Sequence, residues 1–232
     1  MRPVALVTAA GRGIGAACAR ELADAGYAVA LLSPSDHAER LAGEIKGIGM
    51  RGDVTIPTDL EGFVAAAMHR WGRIDAVVNN TGHPPKGDLL AIDDADWRRG
   101  LDLLLLGVVR MARLVTPIME GQRGGSIVNL SGLAAEEPNL AFPVSSVLRA
   151  GLGAFTKLYA DRYAKAGIRM NTVLPGFVDN YPLDEGTRAT IPIGRAVTVA
   201  EVAHTVRFLL SPDASGITGQ SLRVDGGLGR SL

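Results

Sequence analysis

Short apolar runs alternate with helical segments along the whole chain, and this alternation limits the possible folds more than any other feature. The strand-like runs lie at Val4–Val7, Ala28–Leu32, Ala76–Val78, Ser126–Leu130, Met170–Leu174 and Leu222–Val224. Between these runs, apolar residues recur three and four positions apart, which predicts helices. The predicted helices cover Ala16–Ala25, Asp59–Arg70, Trp97–Met119, Ser146–Ala164 and Ala200–Leu210.

The alternation predicts an α/β fold, because strands joined through helices form a parallel sheet with helices on both faces. We expect a single doubly wound Rossmann-type domain over residues 1–232, with a parallel sheet of about seven strands. Ligands of such sheets bind beyond the carboxyl ends of the strands. Capping boxes, in which a Thr and a Glu satisfy free amides at a helix start, are predicted at Thr58 with Glu61 and at Thr198 with Glu201.

Charge and cysteine content exclude several classes of partner. Lys and Arg number 24, as do Asp and Glu, so the formal net charge is zero and there is no electrostatic case for binding nucleic acid or an anionic membrane. No apolar run approaches the ~20 residues that span a bilayer, and no spacing of His, Cys, Asp or Glu suggests a metal site. The single cysteine, Cys18, is interpreted as an inert buried thiol and is typical of a reducing compartment. We expect a cytoplasmic protein.

A glycine-rich turn follows the first strand and opens a helix, with the sequence Thr8-Ala9-Ala10-Gly11-Arg12-Gly13-Ile14-Gly15. Glycines in this context let the backbone approach a pyrophosphate, and the free amides of the helix start favour its negative charge. Taken alone, the loop is also compatible with an ordinary strand-to-helix turn.

The loop resembles the cofactor loop of the short-chain dehydrogenase/reductase family, and further family motifs follow in order at the right spacing. These are Asp53-Val54, Asn79-Asn80-Thr81-Gly82, Pro175-Gly176, Ile217-Thr218-Gly219-Gln220 and Val224-Asp225-Gly226-Gly227. The resemblance covers essentially the whole chain and implies one dinucleotide-binding domain. The implied cofactor-binding residues are Thr8, Gly11, Arg12, Gly13, Ile14, Gly15, Ser33, Asp53, Val54, Asn79, Asn80, Gly82, Arg149, Pro175, Gly176 and Val178.

One position of the cofactor loop departs from the family, because Ala9 replaces its first glycine. A methyl group there is tolerated if φ is negative and costs of order 1 kcal/mol if it is not. We do not expect this replacement to abolish binding.

The end of the second strand bears on the choice of dinucleotide. NAD-binding proteins normally place a carboxylate there for the ribose 2′-hydroxyl, but Ser33 and Pro34 occupy this position, and Asp36 is interpreted as a helix N-cap. Arg12, just before Gly13, can grip the 2′-phosphate of NADP with its guanidinium; a solvated loop charge is the alternative. The sequence favours NADP(H) over NAD(H).

In this family a Tyr-x-x-x-Lys pair, a Ser and an Asn carry the reaction, and the resemblance locates all four positions. The Tyr and Lys positions hold Ser145 and Arg149, the Ser position holds Gly132 next to Ser131, and the Asn position holds Leu104. No Tyr in the chain has a Lys four residues later. The chain is identified as a divergent member that lacks the Asn-Ser-Tyr-Lys residues. Its candidate catalytic residues are Ser145, Arg149 and Ser131.

The replacements weaken proton transfer. The reference pKa of Tyr is about 10, whereas a serine hydroxyl resembles bulk water at about 15.7, a difference of ~8 kcal/mol in proton-donating ability. Ser145 is therefore a poor general acid, and Arg149 can hold ribose hydroxyls but stays charged. Because positioning alone can supply ~7–11 kcal/mol, slow redox chemistry is still expected to be possible.

Other residues near the predicted site have two interpretations each. Tyr181 is a substitute acid or a plain loop aromatic, and His83 has a suitable intrinsic pKa but stands before two prolines as loop residues do. Ser131 reaches the site or bonds to local backbone, and Leu104 belongs to the core or to a subunit interface. The stretch from Asn180 to Ala189 leaves little lid, which predicts a small or open pocket.

Three functions remain open from the sequence. The first is an NADP(H)-dependent oxidoreductase with an atypical active site, acting on a small carbonyl or alcohol. The second is a catalytically silent dinucleotide-binding or regulatory subunit, and the third is a non-redox lyase or isomerase on the same scaffold. By resemblance we also expect a homodimer or homotetramer, packed through the helices around Trp97–Met119 and Ser146–Ala164.

Overall fold

The computed structural model describes residues 2–231, which form seven strands. These are β1 (Val4–Val7), β2 (Ala28–Ser33), β3 (Ile48–Arg51), β4 (Ala76–Asn79), β5 (Gly125–Leu130), β6 (Ile168–Pro175) and β7 (Ser221–Val224). Neighbouring strands pair in parallel in the order β3-β2-β1-β4-β5-β6-β7. The predicted α/β fold with a parallel sheet of about seven strands is confirmed.

Eight α-helices connect the strands of residues 2–231. They are α1 (Gly13–Asp24), α2 (His37–Ile45), α3 (Pro57–Trp71), α4 (Asp94–Leu101), α5 (Gly107–Gln122), α6 (Pro143–Tyr163), α7 (Glu185–Ala189) and α8 (Val199–Leu210). A π-helical turn, Asp102–Leu106, joins α4 to α5. The helix predicted over Trp97–Met119 is therefore three successive helical pieces.

The sheet is buried on both faces, because alternate strand residues pack into two separate cores. One core contains Val7 and Val29 and is covered by α1, α2 and α8. The other contains Leu6 and Ala30 and is covered by α3, α5 and α6. Consecutive apolar residues are what a strand covered on both faces requires. Cys18 lies in the first core, where burial raises the pKa of its thiol to about 12 and keeps it unreactive at neutral pH.

The order in which strands are added to the sheet reverses at β1: β2 and β3 are added on one side of it and β4 to β7 on the other. Leu6 of β1 stands opposite Ala30 of β2 on one side and Val77 of β4 on the other. The chain winds from β1 to β2 and β3, returns to β4, and then continues outward to β7. The loops after β1 and β4 therefore separate at a crevice where ligands of such sheets bind.

The sequence pattern missed strand β3, whereas a helix after Asp36 was expected and is α2. Strand β3 contains Gly49 and ends in Arg51, and it lies at the sheet edge, where an apolar run is not required. Asp36 precedes α2 as expected, and its carboxylate accepts a hydrogen bond from Arg40 at 3.2 Å.

One predicted capping box is confirmed and the other is wrong. Thr198 accepts a hydrogen bond from the amide of Glu201 at 3.1 Å, and the Glu201 carboxylate accepts one from the Thr198 amide at 2.7 Å. Thr58 has no such role, because α3 already begins at Pro57 with Ile56 as its N-cap. Proline suits the first helical position because the amide it lacks would have no partner there.

Within the described part of the chain, every helix is too short or too polar to cross a bilayer.

Candidate active site

The glycine-rich loop is tied to the end of β4 by side-chain hydrogen bonds. The Thr8 hydroxyl donates to the carbonyl of Asn80 at 2.6 Å and accepts from the Asn80 amide at 2.9 Å. The Asn80 side chain donates to the carbonyl of Ala9 at 3.1 Å. These bonds fix the two walls of the crevice relative to each other.

Close packing explains why glycines occupy this loop. A Cβ atom on Gly15 would lie 2.4 Å from the carbonyl oxygen of Ala9, and one on Gly11 would lie 2.9 Å from the Ser33 hydroxyl. Gly13 has φ +56° and starts α1, so the amides of the first turn, including that of Ile14, are left free by the helix. The loop has the close approach and the exposed amides that a pyrophosphate requires.

Ala9 keeps the left-handed conformation that a glycine would adopt. Its φ is 45°, so the methyl group is held in a region that disfavours residues with a side chain. A positive φ at Ala9 was the condition under which we expected a cost of order 1 kcal/mol, so this cost applies.

The ribose side of the crevice is formed by the ends of β1 and β2. Ser33 is buried, and its hydroxyl accepts a hydrogen bond from the Ser35 amide at 3.2 Å. Arg12 directly precedes α1, has an extended backbone and exposes its side chain. Arg12 is thus placed to meet a ligand that enters along the loop.

Asp53 and Val54 differ in what their side chains do. The Asp53 carboxylate accepts hydrogen bonds from the amide and hydroxyl of Thr55, both at 2.8 Å, and so stabilises its own turn. Val54 lines a small crevice together with Thr8, Asn79 and Leu103.

A buried chain of polar groups lies beneath this crevice and was missed by the sequence analysis. Asn79 donates to the Asn129 side chain at 2.9 Å, Asn129 donates to the Thr156 hydroxyl at 3.0 Å, and Thr156 meets the Thr172 hydroxyl at 3.0 Å. The chain connects β4, β5, α6 and β6. Asn79, predicted to bind the cofactor, therefore uses its amide group to hold the strand ends together.

Ser145 and Arg149 come together on one face of α6. The Arg149 Nε donates to the Ser145 hydroxyl at 3.0 Å, and its Nη1 donates to the carbonyl of Leu130 at 3.0 Å. Burial lowers the pKa of the Arg149 guanidinium to about 10, so it stays charged at neutral pH. The guanidinium is held rigidly at the carboxyl end of β5.

Ser131 follows β5 and is the clearest candidate for an outside ligand near Arg149. Its amide donates to the carbonyl of Val173 at 2.9 Å. Its hydroxyl oxygen is buried and makes no hydrogen bond with any of residues 2–231. A buried hydroxyl without a partner costs free energy, so a ligand oxygen at this place would be favourable. The alternative interpretation, a hydroxyl bonded to local backbone, is wrong for the described residues.

Gly132 and Leu104, at the family's Ser and Asn positions, have no polar side chain. Gly132 is extended, with φ −176°. Leu104 lies at the centre of the π-helical turn and is 1% exposed, which places it in the protein interior.

The loop after β6 folds back toward the glycine loop. Gly176 packs against Asp225, where a Cβ atom would lie 2.9 Å from the Asp225 Cα. Val178 pairs with Val197 in an isolated bridge, and the Asn180 side chain lies 3.1 Å from where a Cβ of Gly13 would be. Pro175, which ends β6, starts a loop whose next residues reach the predicted phosphate site.

His83 and Tyr181 were considered separately in the sequence but meet in the structure. The His83 Nε2 and the Tyr181 hydroxyl are 2.9 Å apart, and the ring centroids are 5.4 Å apart at an angle of 61°. Partial burial lowers the pKa of His83, and the positive charges of Lys86, Arg149 and Arg12 lower it further. Gly82, beside His83, is exposed in the same loop.

The segment predicted to leave little lid contains the short helix α7. The Asp184 carboxylate caps this helix by accepting a hydrogen bond from the Thr187 amide at 2.8 Å. The helix has five residues, Glu185–Ala189.

Comparison with known proteins agrees with the fold. Residues 8–229 match the family model described as enoyl-(acyl carrier protein) reductase. The chain belongs to the short-chain dehydrogenase/reductase family. It is 33% identical over 235 residues to the 3-oxoacyl-(acyl-carrier-protein) reductase FabG of Vibrio cholerae, with 97% of this chain and 96% of the relative covered. It is 38% identical over 239 residues to the cis-4-hydroxycyclohexanecarboxylate dehydrogenase of Sinomonas cyclohexanicum, with 97% and 95% covered.

Proposed function

We propose that this chain is an NADP(H)-dependent oxidoreductase that interconverts a small carbonyl compound and an alcohol without the family's Tyr and Lys. The observation that carries the proposal is the guanidinium of Arg149, held at the carbonyl of Leu130 and the hydroxyl of Ser145, together with the unpartnered hydroxyl of Ser131, the residue that follows Leu130. A charged donor and a buried hydroxyl together suit the oxygen atom of a carbonyl group, on which negative charge develops during reduction.

The glycine loop supports dinucleotide binding. Gly11 and Gly15 let the loop pack closely against Ser33 and Ala9, and α1 begins at Gly13, so the free amides of its first turn lie at the end of this loop. Arg12 would bind the 2′-phosphate, and Arg149 would hold hydroxyls of the nicotinamide ribose. When bound, the dinucleotide supplies or accepts a hydride.

The other cofactor contacts follow from the strand ends. Backbone at Asn80 and Gly82 would line the ribose on the β4 side, and Val54 would contact the adenine. Pro175, Gly176 and Val178 would border the nicotinamide. These assignments make residues 1–232 one dinucleotide-binding domain.

The residues at the reaction positions orient the substrate more than they move protons. Arg149 keeps its proton at neutral pH, so it polarises the substrate oxygen electrostatically, while Ser131 and Ser145 can donate hydrogen bonds to it. General acid catalysis typically contributes about 10²–10⁴-fold. We therefore expect turnover that is slow by comparison with relatives that have a Tyr-Lys pair.

The names of the relatives support a carbonyl or alcohol substrate. The Vibrio cholerae relative is named for reduction of a 3-oxoacyl group and the Sinomonas cyclohexanicum relative for dehydrogenation of a hydroxycyclohexane acid. Both names describe chemistry between a ketone and a secondary alcohol, and we assign the same reaction class to this chain.

We further propose a homodimer or homotetramer that packs through α5 and α6. Helix α6 exposes Val147 and Leu158, which are 56% and 69% accessible. Apolar side chains on one long helix are typical of a subunit interface.

A binding titration followed by a substrate panel tests the proposed function. We expect NADPH to bind more tightly than NADH, and Arg12→Gln to weaken NADPH binding roughly tenfold while leaving NADH binding unchanged, because one charge-assisted contact is lost. With small carbonyl compounds, nucleotide oxidation is expected at the nicotinamide absorbance band, and Arg149→Met is expected to abolish it.

Two results would overturn the proposal in favour of different functions. Nucleotide binding without turnover across the panel, with activity gained in the Ser145→Tyr, Arg149→Lys double variant, would indicate a catalytically silent subunit. Substrate conversion without a change at the nicotinamide band would indicate a lyase or isomerase.

A further inference from the structure

The hydrogen-bonded pair of His83 and Tyr181 lies outside the family's reaction positions and joins two loops of the crevice. His83 follows β4 and Tyr181 follows β6, and their side chains meet at 2.9 Å. The two residues are 98 positions apart in the chain. Their contact therefore depends on the parallel sheet, in which the carboxyl ends of β4 and β6 lie on the same side.

One contact places this pair near the glycine loop, and the charge of Arg149 is felt by His83. Tyr181 directly follows Asn180, whose side chain lies against Gly13. The electrostatic effects of Arg149 and Arg12 both reach His83. Tyr181 is 51% exposed, so its hydroxyl can be reached by a molecule that enters the crevice.

The backbone around Tyr181 is anchored and does not resemble a loose loop. The Asp179 amide donates to the carbonyl of Val197 at 2.9 Å, and the Asp179 carboxylate accepts from the Val199 amide at 2.9 Å. The Tyr181 amide donates to the carbonyl of Val178 at 3.3 Å. These bonds hold the phenol at a defined place, which a proton donor requires.

We propose that Tyr181 is the proton donor of this enzyme and that His83 positions its phenol and restores its proton. The inference rests on the proposed function, because it names the acid of that same reaction. It assigns to a residue on the β6 loop the role that Ser145 on α6 is too weak an acid to perform.

The proton transfer balances as follows. The phenolic O–H bond of Tyr181 breaks, and a new O–H bond forms on the substrate oxygen, which becomes negatively charged when the carbonyl carbon accepts the hydride that the bound dinucleotide would supply. The phenolate then takes a proton from the Nε2–H of the imidazolium form of His83, which becomes a neutral imidazole, and solvent protonates that imidazole again. In the direction of oxidation every proton moves the opposite way.

The charges around His83 fit this role. Lys86 on its own loop, Arg149 on α6 and Arg12 in the glycine loop all act on His83, and each is positive. They lower the pKa of His83 below its ordinary value, so the imidazole is largely neutral at pH 7 and charged only in more acidic solution.

Kinetic variants test the proton donor. We expect Tyr181→Phe to lower kcat for carbonyl reduction by about 10²-fold or more, with KM and NADPH binding little changed. Tyr163→Phe is the matched control and should keep the parental rate, because Tyr163 lies at the end of α6, where its ring packs against Tyr159 and Arg162. Thermal unfolding of each variant shows that the fold is intact.

The pH dependence tests His83. Reduction by the parent protein should become faster as pH falls through the lowered pKa of His83, because the imidazolium is the better proton donor. His83→Gln should remove this step from the pH profile, whereas His204→Gln, at an exposed site beside Glu21, should keep it.

A titration by proton NMR adds a readout that does not need turnover. The chain has four histidines, and the resonance lost in His83→Gln identifies His83. We expect it to titrate below 6.5 in the parent protein and at a higher pH in Arg149→Gln, because one positive charge has been removed.

The outcomes separate this inference from the proposed function. If the parent turns over and Tyr181→Phe keeps its rate, or if His83 titrates normally and ignores Arg149→Gln, Tyr181 is not the donor although the oxidoreductase function stands. If the parent binds NADPH without any turnover, both proposals fail together.

Discussion

At the scale of single residues, Ala9 shows how tightly the backbone of the glycine loop is determined. Its carbonyl accepts a hydrogen bond from the Asn80 side chain and lies against Gly15. These contacts hold φ at 45° although the residue has a methyl group. The surrounding structure therefore overrides a local preference of about 1–2 kcal/mol.

Replacing Ala9 by glycine should stabilise the protein. We expect Ala9→Gly to raise the free energy of unfolding by about 1 kcal/mol, because the left-handed conformation no longer strains a side chain. Urea denaturation measures the change. Ala150→Gly on the exposed face of α6 is the control and should lower stability by about 1 kcal/mol. A loss of stability in Ala9→Gly would show that the methyl group packs favourably.

The residues of the site could be predicted from the sequence only where a local motif marks them. The glycine loop was recognised because it lies between a strand and a helix and further family motifs follow it at the right spacing, and Ser145 and Arg149 were located by the resemblance to the family's Tyr-x-x-x-Lys pattern. The contact between His83 and Tyr181 has no local pattern, because it forms only after β4 and β6 enter one sheet. That the buried Ser131 hydroxyl has no hydrogen-bond partner among the described residues likewise follows from the packing around β5 and could not be predicted from the sequence.

At the scale of secondary structure, helix starts differ in how they satisfy their free amides. Helix α8 uses the capping box of Thr198 and Glu201, whereas α3 uses proline at its first position. Both starts contain a Thr three residues before a Glu. The sequence spacing alone does not distinguish them, because Pro57 moves the helix start one residue ahead of Thr58.

The difference between these two helix starts can be measured. We expect Thr198→Ala to lower the free energy of unfolding by about 1 kcal/mol, because the amide of Glu201 loses its partner. Thr58→Ala, at an exposed position within the first turn of α3, should change stability very little. Equal losses in urea denaturation would contradict the assignment of the two caps.

Elements were predicted well where burial imposes a pattern and poorly where it does not. Strands β1, β2 and β4 read as apolar runs because both of their faces are covered. Edge strand β3 is only partly buried, so its sequence is not constrained in the same way. The π-helical turn at Asp102–Leu106 left no trace in the apolar periodicity, because four of its five residues are leucines and a continuous apolar run has no period.

At the scale of the whole molecule, the exposed apolar residues of α6 allow the proposed association of copies to be tested. We expect light scattering to give the mass of a dimer or tetramer, and Leu158→Lys to shift that mass toward the monomer, because a charge would be buried in the interface. Leu90→Lys is the control, since Leu90 is 92% exposed but lies in the loop between β4 and α4. A monomeric parent would remove the expectation of a homo-oligomer.

The hydrogen bonds between Thr8, Asn80 and Ala9 have a consequence for the kinetics of recognition. A crevice whose two walls are already hydrogen-bonded to each other loses little conformational entropy when a ligand binds. The association rate of the ligand should then be set by diffusion, and its affinity by the dissociation rate. Exchanging one dinucleotide for another would accordingly change the departure rate far more than the rate of capture.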